Sequence, residues 1–155
     1  MALRPVILLW IGGPLGPIER LALTSFVVAG HQTILYSYEA PAAVPAGVTL
    51  RDAAEVLPFD VARANRYANG SWALFSNLFR YEAQRLGLDI WVDTDVVCLR
   101  PIDFDGPFIA GWESDRFING AVLYAAPDSG FVIDALDAFR RGRVPEWVPW
   151  HRAPG

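Results

Sequence analysis

Two carboxylates two residues apart, Asp93 and Asp95, close an apolar stretch in Ile90-Trp91-Val92-Asp93-Thr94-Asp95-Val96-Val97. On a continuing strand alternate side chains share a face, so both are expected to point into one cleft. The carboxyl ends of parallel strands are where α/β sheets bind ligands. Paired carboxylates suit a hard divalent cation, which takes its remaining oxygens from ligand or water. A cation held this way can neutralise a diphosphate leaving group. The plainer alternatives are a solvated strand-to-loop turn and an ion pair of either carboxylate with Arg100.

Other chemistries are poorly supplied. All thirteen basic residues are Arg, so no Schiff base, catalytic Lys or phosphate-binding Lys is on offer. The single cysteine, Cys98, excludes an internal disulfide and a cysteine-based metal site. It fits a reducing compartment. His31 falls in a helix-to-strand turn and His151 in an irregular tail; both read as surface residues. The segment 12–16, Gly-Gly-Pro-Leu-Gly, matches neither the dinucleotide fingerprint nor the P-loop. It reads as a tight turn that lets a ligand approach backbone. A net charge of −4 argues against nucleic acid as a partner.

The elements that must position the carboxylates form a simple series. Residues 5–11 are a continuous apolar run, the pattern of a strand buried on both faces. Pro17 opens a helix carrying Leu21, Leu23, Phe26 and Val27, with Gly30 as its stop. Strands are predicted over 33–38, 48–50, 88–92, 108–112 and 118–125. Short helices are expected within 51–69, a longer one over 72–86 capped by Ser71, and another over 129–141. The β-loop-α-β opening points to one α/β domain with a mostly parallel sheet over residues 1–155. With 53% hydrophobic and 19% charged residues, the chain is not disordered. Its apolar runs are too short to cross a bilayer, and no transmembrane segment is expected.

Asp-X-Asp-X-Val after a strand resembles the first motif of haloacid-dehalogenase-like phosphatases. Those enzymes rely on a downstream Lys, which is absent here, and they carry the motif at the start of the fold. With its flanks the chain resembles another family better. Residues 9–13 (Leu-Trp-Ile-Gly-Gly), 76–81 (Ser-Asn-Leu-Phe-Arg-Tyr), 91–95 (Trp-Val-Asp-Thr-Asp) and 118–121 (Ile-Asn-Gly-Ala) follow the order of the DXD-containing glycosyltransferases. The nearest group is glycosyltransferase family 32, the capsular-polysaccharide and mannosyltransferase-like bacterial group related to the sugar-transferring domains of large clostridial toxins. The resemblance covers nearly the whole chain.

It implies a GT-A-like fold, a UDP- or GDP-sugar donor, Mn²⁺ or Mg²⁺, a glycan or lipid-linked acceptor, and retention of anomeric configuration. Asp93 and Asp95 match the metal-holding carboxylates. Trp10 matches an aromatic that stacks on the nucleotide base, with Ile11 and Gly12 beside it. Arg80 matches a helix arginine that reaches donor phosphate or sugar. Asn77 lies one helical turn before it, where relatives usually carry Asp. Trp91 stands where an aromatic precedes the carboxylates, and Asn119 matches a cleft-facing Asn. The resemblance further implies a cytoplasmic location, or one peripheral to the inner membrane. The family's domain continues beyond the 118–121 block to complete metal coordination and cover the donor. A chain lacking that C-terminal segment is therefore expected, and the alternative function is a truncated, non-catalytic nucleotide-sugar-binding domain.

Overall fold

The computed structural model describes residues 2–142. Strand β1 (Val6–Leu9) is buried along its whole length. Ile7 and Leu9 enter one apolar cluster, while Val6 and Leu8 enter another. This alternation gives the sheet two covered faces. β2 (Thr33–Ser37) and β4 (Ile90–Val92) flank β1 in parallel, and β3 (Val48–Asp52) lies parallel beyond β2. β5 (Phe108–Trp112) and β6 (Ile118–Ala125) pair antiparallel, with β6 also antiparallel to β4. The order is β3-β2-β1-β4-β6-β5. Among the described residues this is an α/β fold on a mixed, mostly parallel sheet, compatible with a Rossmann-like architecture.

Helix α1 (Pro17–Val28) covers one face. Pro17 sits in its first turn, where a missing N–H costs nothing, and Gly30 follows its end at φ +92°. Leu23 and Phe26 point into the core, whereas Leu21, expected beside them, is 56% exposed. α3 (Ala73–Arg85) covers the opposite face with Phe75, Phe79 and Ala83. Ser71 Oγ accepts from Ala73 N at 3.2 Å, one residue before the cap position that Trp72 occupies. α4 (Gly130–Arg140), capped by Ser129, packs on α3 through Phe131 and Tyr81. The segment between β3 and α3 holds a 3₁₀ turn (Ala53–Glu55) and the short α2 (Phe59–Ala64).

Two expectations are corrected. The strand predicted from residue 88 begins at Ile90, because Gly87 and Asp89 both turn the backbone into positive φ. Arg4 holds Asp89 in that conformation through an ion pair of 2.7 Å. His31, read as a surface residue, is 4% exposed. Its Nε2 accepts from Ile102 N at 3.0 Å, so Nδ1 carries the proton and donates to Arg4 O at 2.8 Å. The ring ties the chain before β1 to the chain before β5. His151 and the tail beyond residue 142 lie outside the described residues. Among the described residues no helix is long and apolar enough to cross a membrane.

Gln84 joins α3 to the sheet. Its side chain is 1% exposed, donates to Asp89 O at 2.9 Å and accepts from Ala125 N at 2.8 Å. Gln84→Leu keeps the volume and strands both backbone groups. It should destabilise the fold by about 2–4 kcal/mol in urea unfolding. A loss below about 0.5 kcal/mol would show that water replaces the amide.

Candidate functional site

β1 and β4 lie side by side, yet their connections run to opposite halves of the sheet. Such a switch point leaves a crevice beyond the carboxyl ends of its strands. A cavity of about 580 Å³ opens there. Leu9 lines it from β1, Asp93 and Asp95 from the turn after β4, Ser76, Asn77 and Arg80 from α3, and residues 118–121 from β6. The chain thus brings Asn77, Arg80, Asp93, Asp95 and Asn119 together, as expected.

The carboxylates meet there for a reason other than the one expected. β4 ends at Val92 instead of continuing. Val96 N donates to Asp93 O at 3.1 Å, so residues 93–96 form a turn that returns both side chains to one mouth. Asp93 is anchored: its Oδ1 accepts from Arg80 Nη2 at 2.8 Å and from Trp91 Nε1 at 2.7 Å. Trp91 itself is buried in the core, and Arg80 Cζ lies 5.2 Å from its ring centroid. Arg80, not Arg100, is therefore the cation that pairs with Asp93. Asp95 is exposed and has no hydrogen-bond or ion-pair partner among the described residues.

Arg80 is only 8% exposed, and its Nε is buried without an acceptor among the described residues. Gly120 explains how the guanidinium fits. A Cβ at that position would stand 2.1 Å from Arg80 Nη1. The backbone reaches this point through an irregularity in β6. Ala110 pairs with Leu123 but its neighbour Gly111 pairs with Asn119, so residues 120–122 are extra on the β6 side. Those extra residues turn to β4 instead, where Val122 pairs with Val92 and Ala121 O accepts from Asp93 N at 2.8 Å. Asn119 Oδ1 is committed to Ala121 N at 2.7 Å, which leaves its amide nitrogen as the group available for donation.

Glu19 and Glu113 also line the cavity and carried no recognisable motif. Gly120 did carry a signal, since a glycine inside a strand pattern marks a bulge or a close backbone approach. With Asp93 and Asp95, the described residues of the lining hold four carboxylates against one guanidinium, a formal charge of −3.

Trp10 lines neither this cavity nor its neighbour. Its indole packs on the cluster around Val6 and Leu8, and its Nε1 donates to Gly13 O at 2.8 Å. Ile11 and Gly12 line a second cavity of about 480 Å³ at the ends of β1, β2 and β3. Trp72, with Arg66 Cζ 4.4 Å from its ring centroid, forms part of that wall. Tyr38 lines it too, its hydroxyl donating to Leu57 O at 2.7 Å. Burial, with the Asp52 carboxylate adding to it, pushes this phenol up to about 12. The Tyr38 side chain is therefore an uncharged phenol at any ordinary pH. Tyr38→Phe should remove a late-titrating phenol from an ultraviolet titration, and an unchanged count above pH 11 would refute that assignment.

The chain matches no protein-family model and no curated protein. What it can do chemically therefore rests on the geometry. Among the described residues no group of three or more His, Cys, Asp or Glu side chains is arranged around one metal position. Asp95 and the second oxygen of Asp93 are a two-carboxylate set. Magnesium-like ions use such a set when a phosphate ligand and water complete the shell.

The contact between Gly120 and Arg80 can be tested on its own. Gly120→Ala should lower stability by about 1–3 kcal/mol, because the guanidinium must shift and give up its pairing with Asp93. In an Arg80→Ala background the same change should be near neutral, a coupling of about 1 kcal/mol or more in a double-mutant cycle. Additive effects would place the strain elsewhere.

Proposed function

We propose that this chain is a metal-dependent glycosyltransferase domain of GT-A-like architecture that takes a hexose from a nucleoside-diphosphate sugar. The observation that carries this reading is the convergence of Asn77, Arg80, Asp93, Asp95 and Asn119 on one cavity at the β1/β4 switch point. Each of these residues matches a position of the DXD-containing glycosyltransferases, and all five line the same cavity.

Charge supports the metal requirement. A diphosphate entering a cavity whose described residues carry a formal charge of −3 meets repulsion, and the one guanidinium among them is already paired with Asp93. A divalent cation on Asp95 and the free oxygen of Asp93 would cut that charge to −1, put positive charge where the diphosphate enters, and stabilise charge developing on the departing diphosphate. Arg80 keeps N–H donors beyond the one that Nη2 gives to Asp93. They suit a phosphate or sugar oxygen entering beside the carboxylate. Trp91 fixes the Asp93 carboxylate from below, so the pair holds its orientation before any ligand arrives. Asn77 and Asn119 supply amides for sugar hydroxyls. The second cavity, with Gly12 leaving its backbone bare and Trp72 in its wall, suits the nucleoside end. Trp10 is then a packing residue that shapes the turn.

Calorimetry with Mn²⁺ and UDP or GDP tests the assignment. Nucleotide binding should require the metal, and Asp95→Ala should abolish the metal-dependent part. Arg80→Lys keeps charge but loses the planar fork, and should weaken binding about 10- to 100-fold. Metal-independent binding, or unchanged affinity in Asp95→Ala, would remove the transferase reading.

A further inference from the structure

The second cavity borders the first along two stretches of chain. Leu9 lines the first, and Ile11 and Gly12 line the second. Ala73 lines the first, and its neighbour Trp72 lines the second. An aromatic row forms part of the second cavity's wall. The rings of Tyr38 and Phe59 lie 4.8 Å apart between centroids, and those of Phe59 and Trp72 lie 6.2 Å apart. All three line the cavity, and Phe59, in the middle, is 41% exposed.

The row ends in opposite charges, and both belong to the same lining. At the Trp72 end the Arg66 guanidinium lies over the indole, and its Nε donates to Gly70 O at 2.8 Å. Its Nη groups have no acceptor among the described residues. At the Tyr38 end stands Asp52, the partner of Ser37 in the β2–β3 register. Asp52 Oδ1 accepts from Ala54 N at 2.8 Å, which fixes the carboxylate and leaves Oδ2 without a partner among the described residues. Glu39, next after Tyr38, adds a second carboxylate with no partner among them. The Tyr38 hydroxyl is already spent on Leu57 O.

We propose that this cavity selects guanine, with Asp52 taking the N1–H and N2–H donors of the base, Arg66 its O6 and N7 acceptors, and Phe59 its flat face. The inference rests on the transferase reading and names the donor as a guanosine-diphosphate sugar. Guanine alone among the common bases sets two adjacent donors beside two adjacent acceptors. A carboxylate matches the donor pair, and a planar guanidinium matches O6 and N7. Uracil offers one donor between two carbonyls, which Asp52 and Glu39 repel. Adenine puts an amine beside N7, where the guanidinium needs an acceptor. Cytosine has a single amine for the carboxylate. The base extends into the second cavity from a diphosphate held in the first, across the border that Trp72 and Ala73 share.

Calorimetry on the full chain with Mn²⁺ and the diphosphates of guanosine, uridine, adenosine, cytidine and xanthosine tests the site. The guanosine compound should bind about tenfold or more tightly than the uridine, adenosine and cytidine compounds. Asp52→Asn keeps an acceptor for Ala54 N and turns the other oxygen into an amide donor. It should weaken guanosine diphosphate about tenfold and strengthen xanthosine diphosphate, whose base carries a carbonyl in place of the 2-amine. Phe59→Ala should weaken all five alike, because stacking tolerates any base. Circular dichroism should stay unchanged in both variants. Uridine diphosphate binding as tightly as guanosine diphosphate, or an unchanged preference for guanosine over xanthosine in Asp52→Asn, overturns the proposal and leaves the transferase reading standing. Guanosine selectivity that Asp52→Asn reverses, but that ignores Mn²⁺ and Asp95→Ala, would retire the transferase reading and keep the base site. Binding of none of the five overturns both.

Discussion

One carboxylate oxygen organises the candidate site. Asp93 Oδ1 receives a guanidinium from α3 and an indole N–H from its own strand, both within 2.8 Å. Charge-assisted bonds of this kind contribute roughly 1.5–3 kcal/mol each. They also constrain everything around them. Trp91 must lie in the core on the α3 side, Arg80 must pass beside it, and the β6 backbone must give way to the guanidinium at a glycine. Removing either donor would leave a half-buried charge short of a partner, which costs more than the pair contributes.

Much of the fold was legible in the sequence because burial on both faces leaves a plain mark. The runs at 5–11 and 88–92 became β1 and β4, and Pro17 and Gly30 bracketed α1. What could not be read depended on partners far along the chain. The late start of β4 follows from Arg4 reaching Asp89, eighty-five residues away by number (89 − 4). His31 looked like a loop residue and is instead a buried bridge between two backbone segments. No local pattern encodes either contact.

The site divides in the same way. Asp93 and Asp95 stood out by type and spacing, while Asn77, Arg80 and Asn119 came only from the resemblance to DXD-containing glycosyltransferases; all five line one cavity. The pairing of Arg80 with Asp93 was not legible, since it spans α3 and the end of β4. The reason the carboxylates share a mouth also differs from the expected strand alternation, because a turn places them there. The resemblance implies a base-stacking role for Trp10, at the end of an apolar strand beside a Gly-rich turn. Its indole nevertheless found a carbonyl three residues on and a bed of aliphatic side chains. A Gly-rich turn brings its own acceptors close, and they compete with any ligand for the nearest donor.

The three extra residues of β6 have a mechanical consequence. Ladder bonds from β4 reach β6 only as far as Val122, with Ala121 held by one further bond. Beyond that point the hairpin projects as a cantilever, clamped at one end and free of the central sheet along residues 111–119. Its clamp is the backbone that touches Arg80. No side chain of its own separates Gly120 from the guanidinium. The root of the hairpin and the partner of Asp93 thus meet at one backbone position, Gly120.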